Sequence, residues 1–285
     1  MSSRLLIAND LPGLGKVALG SALPVMAACQ VETAVLPTVL LSSHTGGFSH
    51  VHIADLTADM QAFLHHWEKL PISFDGLVTG YLKNIKQIDL LLDFADKKQL
   101  PLFVDPVMAD KGRFYKGFDQ EYANRMKQLC QKADVIIPNL TEAAFLTNMA
   151  FLIDGYKRVQ IEELLRKLGD LGPKYVILTG VSLEQGKIGL AIYEKAVDKI
   201  IYLMSNYYDK HFWGTGDILT AILASLYFQG IDLKIAGKTA LTFLNQVLLS
   251  TIKLDRDLRF GLYFEPHLLE LAQNCVTLKE EKDGK

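Results

Sequence analysis

Short apolar runs that close on a polar residue or glycine alternate with stretches of helical periodicity along this chain, and that alternation restricts its fold more than any other feature. It is the pattern of stacked β-α-β units. The runs Leu5–Ala8, Thr33–Leu41, Phe74–Thr79, Leu102–Val107, Asp134–Pro138 and Tyr175–Thr179 read as strands. Several are apolar along their whole length, as strands covered on both faces must be, so the sheet is expected to be mostly parallel. Helices are expected over Thr57–Lys69, Asn84–Lys98, Asp119–Lys132, Ile161–Leu171, Gly216–Phe228, Leu233–Lys253 and Pro266–Ala272. Lys187–Glu194 and Lys199–Met204 flank Lys195-Ala-Val-Asp198 and read as an antiparallel hairpin on one edge of the sheet.

With 285 residues, 49% of them apolar and 22% charged, the chain can bury the core of one large α/β domain. No repeat or Ser/Pro-rich linker divides it. A single domain over residues 1–277 is therefore expected, followed by a charged tail, 278–285, that should fray. A net charge of −2 without a basic block argues against nucleic acid as a partner. The weakly polar stretch Val17–Val31 is interrupted by Pro24 and Gln30 and is too short to span a membrane. Arg4–Asp10 reaches an acid after four apolar residues, so it reads as a first strand and not as the apolar part of a signal peptide. Cys29, Cys130 and Cys275 are odd in number and lack a Cys-x-x-Cys pair, which argues against disulfides and zinc and favours the reducing cytoplasm.

Ligands of an open α/β sheet bind beyond the carboxyl ends of its strands, so chemistry is sought there. Those ends carry Asn9-Asp10, Ser43-His44-Thr45-Gly46-Gly47, Gly80-Tyr81, Asp105-Pro106-Val107-Met108-Ala109-Asp110, Asn139-Leu-Thr-Glu142 and Thr179-Gly180. The sharpest segment, Trp213-Gly214-Thr215-Gly216-Asp217, opens an apolar helix. Its glycines allow close approach of an anion, and free amides at the positive end of the helix dipole favour negative charge. The plainer alternative is a glycine loop before an acidic helix start. Asn139-Leu-Thr-Glu142 also serves as an ordinary helix cap, and His44 as a loop histidine with a structural role. Gly13-Leu-Gly15-Lys16 fits neither a P-loop nor a dinucleotide fingerprint, and His50, His52, His65 and His66 lack a further metal ligand nearby in sequence.

Taken in order and spacing, Ser43-His-Thr-Gly46, Thr79-Gly-Tyr81, Asp105-Pro-Val-Met108, Pro138-Asn-Leu-Thr-Glu142 and Gly214-Thr-Gly-Asp217 resemble the ribokinase-like superfamily. The likeness is to its vitamin-kinase branch, which contains pyridoxal kinases and hydroxymethylpyrimidine kinases, and it spans nearly the whole chain. It implies a three-layer α/β/α sandwich that transfers phosphate from ATP to a hydroxymethyl group, with Mg²⁺ and in some relatives a monovalent cation. By the resemblance Asp217 is the base, and Gly214, Thr215 and Gly216 form the anion hole. Asp10, His44, Thr45 and Tyr81 line the substrate pocket, and Asp105, Asn139 and Thr179 meet the nucleotide phosphates. Glu142 and Asp105 serve the metal, partly through water, with Asp110 a weaker candidate. Lys111–Tyr115 looks like a mobile flap, and a homodimer is expected.

The chain lacks the early Gly-Gly-x-x-x-Asn of sugar kinases, and Asp10 stands where many pyridoxal kinases carry Ser. Hydroxymethylpyrimidine kinases carry Asp at that place, which makes hydroxymethylpyrimidine the runner-up, whereas His44-Thr45 and Tyr81 favour pyridoxal, or other forms of vitamin B6, as the expected substrate. A non-catalytic protein binding pyridoxal or nucleotide as a sensor is the rival of another class.

Overall fold

The computed structural model describes residues 3–153 and 155–284. They form two compact units, one comprising the chain up to Gly76 and again from Tyr208, the other Leu77–Tyr207. In chain order the first stretch holds β1 (Arg4–Pro12), α1 (Leu19–Ala28), β2 (Glu32–Leu41), β3 (Ile53–Asp55) and α2 (Thr57–Glu68). The second unit follows with β4 (Gly76–Thr79), α3 (Ile85–Lys98), β5 (Leu102–Val104), β6 (Ala109–Asp110), β7 (Arg113–Phe114), α4 (Gln120–Lys132) and β8 (Val135–Ile136). It continues through α5 (Leu140–Thr147), α6 (Arg158–Asp170), β9 (Tyr175–Val181), β10 (Lys187–Glu194) and β11 (Lys199–Asn206). The chain then returns to the first unit with α7 (Thr215–Phe228), α8 (Leu233–Lys253) and α9 (Leu268–Lys282).

In the first unit β1 pairs in parallel with β2, Leu5 opposite Thr33 and Ala8 opposite Leu36, and β3 adds antiparallel to β2. Leu5, Leu6 and Ala8 are fully buried, and α7 supplies the densest part of this core, since every residue from Ile218 to Leu226 is buried. A helix apolar on all sides belongs inside a domain. The same explains α1, which the sequence reading passed over: Leu19, Val25 and Met26 are fully buried, Pro24 lies inside the helix, and no amphipathic stripe announces it.

In the second unit β4, β5, β8 and β9 run parallel, β10 joins β9 antiparallel, and β11 joins β10 from Lys187 opposite Asn206 to Glu194 opposite Lys199. The α/β class, the mostly parallel pairing and the antiparallel edge hairpin thus agree with the sequence pattern. Helix starts are set by side-chain caps: Asn84 accepts from the Gln87 amide (3.1 Å) and Asp119 from the Tyr122 amide (3.0 Å). Lys97, Lys98 and Lys132 close those helices where cations complement the dipole.

Two expectations change in detail. Leu278–Lys282, read as the start of a frayed tail, continues α9, and Lys282 Nζ donates to the Gln229 carbonyl (2.6 Å). Lysines at a helix C-terminus stabilise it, which outweighs the absence of apolar residues. Lys111–Tyr115, read as a flap, turns a two-stranded hairpin of β6 and β7 that is fastened to α5. The Gly112 amide donates to Thr141 Oγ1 (3.0 Å), and Phe114 stacks on Phe145 at 3.9 Å. No helix among the described residues is long and apolar enough to cross a membrane.

Candidate active site

In the first unit β1 carries its apolar run into two buried polar residues, Asn9 and Asp10. The Asp10 carboxyl is pushed from 3.8 to about 7, chiefly by desolvation, with the charge of Asp217 adding to the shift and its own amide opposing it. Asp217 lies in the first turn of α7. Part of its surface stays accessible, yet protein surrounds the carboxyl closely enough for desolvation to raise its pKa as well. The Ala18 amide and the Asn9 side chain donate to it, which favours the charged form and keeps the rise smaller. Both carboxyls are therefore pushed above the ordinary carboxyl range, burial being the main cause at each, and the charge of Asp217 adds to the rise at Asp10.

The amide that fixes Asp217 comes from a strained residue. Ala18, just before α1, has φ 49° and ψ −131°, outside the region a side chain occupies comfortably. Such strain costs about 1–3 kcal/mol, whereas glycine there loses up to about 1 kcal/mol more chain entropy. Ala18→Gly is accordingly expected to raise unfolding stability by about 1 kcal/mol, measured by urea titration; a loss of stability would show that Ala18 is relaxed.

The N-terminus of α7 has no side-chain cap. Gly214 has φ 90°, and a Cβ on it would stand 2.7 Å from the Lys16 carbonyl, so only glycine suits this position. Nothing lies within 4 Å of where a Cβ on Gly216 would be. The Thr215 and Gly216 amides thus lie in the first turn of a helix, at its positive end, with open space beside them. Lys16 is engaged elsewhere: its ammonium pairs with Glu265 and lies over the rings of Tyr263 and Phe264. Beside this helix start the buried His44 ring accepts the Gly46 amide on Nδ1 (3.1 Å) and meets the Arg259 carbonyl with Nε2 (2.5 Å). Phe48 and Trp213 pack on it at 5.0 and 5.9 Å. Thr45 is exposed.

The second unit gathers the remaining candidates. Glu142 is buried and closes a capping box: Asn139 Oδ1 accepts the Thr141 and Glu142 amides (2.8 and 2.9 Å), while Glu142 Oε2 accepts the Asn139 amide (2.8 Å). Glu142 Oε1 accepts the Met108 amide (3.2 Å), and Asn139 Nδ2 donates to the Ala109 carbonyl (2.8 Å). Helix cap and strand-end loop are thereby tied together, so the plain capping reading holds geometrically whatever else these residues do. Burial, reinforced by the charge of Asp105, drives the Glu142 carboxyl well above its ordinary value. Thr179 reaches the same place, its amide donating to the Pro138 carbonyl (2.9 Å). Tyr81 follows β4, half-exposed, its ring 5.5 Å from Phe118. The Asp110 carboxylate accepts the Lys111 amide within the hairpin (2.8 Å).

A buried acid whose pKa is raised further by a neighbouring acid, as Glu142 is by Asp105, suits a cation, which would relieve the repulsion. Among the described residues no three His, Cys, Asp or Glu side chains converge on one point. That donor set fits Mg²⁺, a hard ion that takes one or two carboxylates and keeps its other positions for water and phosphate.

Asn9, Ala18, Trp213 and Arg259 were not among the assigned residues. Asn9 and Trp213 lie inside motifs the sequence analysis had already marked. Ala18 carries no chemical signal, and Arg259 contributes through its backbone.

This fold, with a carboxylate in the first turn of an uncapped helix and acids near strand ends, is shared with known kinases. A pyridoxal kinase from Lactobacillus plantarum superposes with TM-score 0.88 at 34% identity, covering 98% of each chain. A Bacteroides thetaiotaomicron protein assigned as a phosphomethylpyrimidine kinase and crystallised with pyridoxal superposes with TM-score 0.89 at 32% identity, covering 97% of this chain and 96% of that one. The pyridoxine kinase of Bacillus subtilis is 30% identical over 195 residues, 65% of this chain and 68% of its own length. The chain spans 42% of the length of another relative, the chloroplastic thiamine biosynthetic bifunctional enzyme TH1 of Arabidopsis thaliana, at 24% identity over 79% of this chain. The family model for phosphomethylpyrimidine kinase matches residues 22–259. This chain belongs to that kinase family, within the ribokinase-like superfamily.

Proposed function

We propose that the chain transfers the γ-phosphoryl group of ATP to the 5′-hydroxymethyl group of pyridoxal, and of pyridoxine and pyridoxamine, giving pyridoxal 5′-phosphate and its analogues in vitamin B6 salvage. The observation that carries the chemistry is Asp217, held by the Ala18 amide and the Asn9 side chain at the open start of α7. Its carboxylate takes the proton as the substrate oxygen bonds to the γ-phosphorus and the bond to the β-phosphate oxygen breaks, releasing ADP. The Thr215 and Gly216 amides stabilise charge on the transferring phosphoryl group, which is most of what a loose transition state requires. Asp10, His44, Thr45 and Tyr81 bound the pyridine pocket, and Asp105, Asn139 and Thr179 meet the nucleotide phosphates. Asp105 and Glu142 hold Mg²⁺, partly through water; when bound, the ion neutralises phosphate charge.

The choice of pyridoxal is supported by the Lactobacillus plantarum and Bacteroides thetaiotaomicron structures, both over 30% identical across nearly the whole chain. Hydroxymethylpyrimidine is the second reading, favoured by Asp10 and by the name of the family. A homodimer and a cytoplasmic location complete the proposal; three free cysteines suit the latter. The test is ATP consumption with Mg²⁺ and each of pyridoxal, pyridoxine, pyridoxamine, hydroxymethylpyrimidine and ribose, with products identified by mass. Pyridoxal 5′-phosphate is the expected product. Turnover of the pyrimidine alone would reassign the substrate, and no turnover would favour a sensor.

A further inference from the structure

The resemblance places His44 in the lining of the substrate pocket, beside the plainer alternative of a structural loop histidine. Its two ring nitrogens, however, are both engaged by backbone. A carbonyl oxygen only accepts, so the 2.5 Å contact with the Arg259 carbonyl requires a proton on Nε2. An amide only donates, so the 3.1 Å bond from Gly46 requires a lone pair on Nδ1. Together the two contacts fix one state, the neutral Nε2–H tautomer. Both nitrogens of that ring are then occupied, and His44 is 4% exposed.

What these bonds hold in place is more informative than the ring itself. Nδ1 anchors Gly46, and the Gly46 backbone lies against the Trp213 indole, so closely that a Cβ there would stand 2.2 Å from Trp213 Nε1. Trp213 directly precedes Gly214, whose turn aims the Thr215 and Gly216 amides. Nε2 anchors the short turn Leu258–Phe260, and Arg259 donates back to the Gly47 carbonyl (3.3 Å) while lying over Phe48 at 5.3 Å. Phe48 in turn meets Phe260 at 5.7 Å. His44 therefore bolts three segments together, the loop after β2, the approach to α7 and the 258–260 turn.

We propose that His44 is a positioning residue, locked as the neutral Nε2–H tautomer, which sets the phosphoryl-binding amides at the start of α7 through Gly46 and Trp213 and makes no hydrogen bond to the substrate. The assignment deepens the kinase reading above and rests on it for its kinetic arm. A contact to the substrate would be lost mainly from KM, whereas misplaced amides are felt in the transition state and lower kcat.

Two measurements test it. Long-range ¹H–¹⁵N spectra of the full chain should show His44 protonated on Nε2 and bare on Nδ1, unchanged when pyridoxal is added; a change of tautomer on addition would overturn the proposal. In kinetics, His44→Ala should lower kcat by at least about tenfold with the pyridoxal KM within about threefold, and His44→Gln, which keeps a donor towards the Arg259 carbonyl, should recover part of the loss. A KM raised tenfold at unchanged kcat would overturn it. The spectra require no turnover, so they stand if pyridoxal proves not to be the substrate. The kinetic split is then read with whichever alcohol the chain phosphorylates.

Discussion

Asp217→Asn is expected to lower kcat for pyridoxal phosphorylation by about 10²–10⁴-fold, the range a positioned general base contributes, while KM for pyridoxal and ATP stays within a few fold. The amide keeps the shape of the carboxylate and a carbonyl oxygen for the Ala18 and Asn9 donors, but it cannot take a proton. Folding should not suffer, because burial already disfavours the charge that the substitution removes. The pH profile provides the sharper readout. Desolvation raises the pKa of Asp217 above the ordinary carboxyl value, so turnover of the parent should rise with pH through that raised pKa, and this acid limb should vanish in the variant. Unchanged turnover would remove Asp217 from the role of base. A chain inactive both before and after substitution that still bound pyridoxal would be a sensor, since a binder has no need of a carboxylate at this point.

What the sequence disclosed about this site follows from how locally each feature is encoded. The strands were legible because a buried parallel strand must be apolar and gives way to polar chemistry, at Asp105 just after β5; at Asn9-Asp10 the apolar run ends inside β1, which continues to Pro12. Gly214-Thr-Gly-Asp217 was legible because the glycine, the open helix start and the acid are contiguous. The edge hairpin was legible because β10 and β11 adjoin across a short turn. Helix α1 was not, because a helix apolar on every side loses the periodicity that marks a helix. Nor were the partners of His44 and Asp217. The Arg259 carbonyl and the Ala18 amide belong to the backbone, which every residue has, and they reach these side chains from distant parts of the chain. The sequence could propose which side chains act; what orients them depends on tertiary packing, and for His44 that packing is what the proposed positioning role rests on.

The second large effect is expected at Asp10. Its carboxyl has a folded pKa of about 7 against 3.8 in an unsupported chain, so the folded state binds the proton more tightly than the unfolded state does. The resulting stabilisation is complete below pH 4 and is lost as pH rises through 7. Three units correspond to a ceiling of about 4 kcal/mol between those limits. Asp10→Asn removes the titration and keeps the size of the side chain, so its stability relative to the parent should improve steadily from pH 4 to pH 8, by a few kcal/mol in urea unfolding. A constant difference across that range would mean that Asp10 titrates normally in the folded protein. Asp217→Asn provides an independent check on the cause. Because the charge of Asp217 is the second contribution to the shift, removing it should lower the Asp10 pKa without restoring it to 3.8, desolvation being the larger cause. The parent should therefore show the steepest loss of stability towards pH 7, Asp217→Asn a shallower loss, and Asp10→Asn the flattest. That ordering ties the stability of the fold to the pair of carboxyls in the proposed site: a second buried acid near the proposed base costs stability at neutral pH.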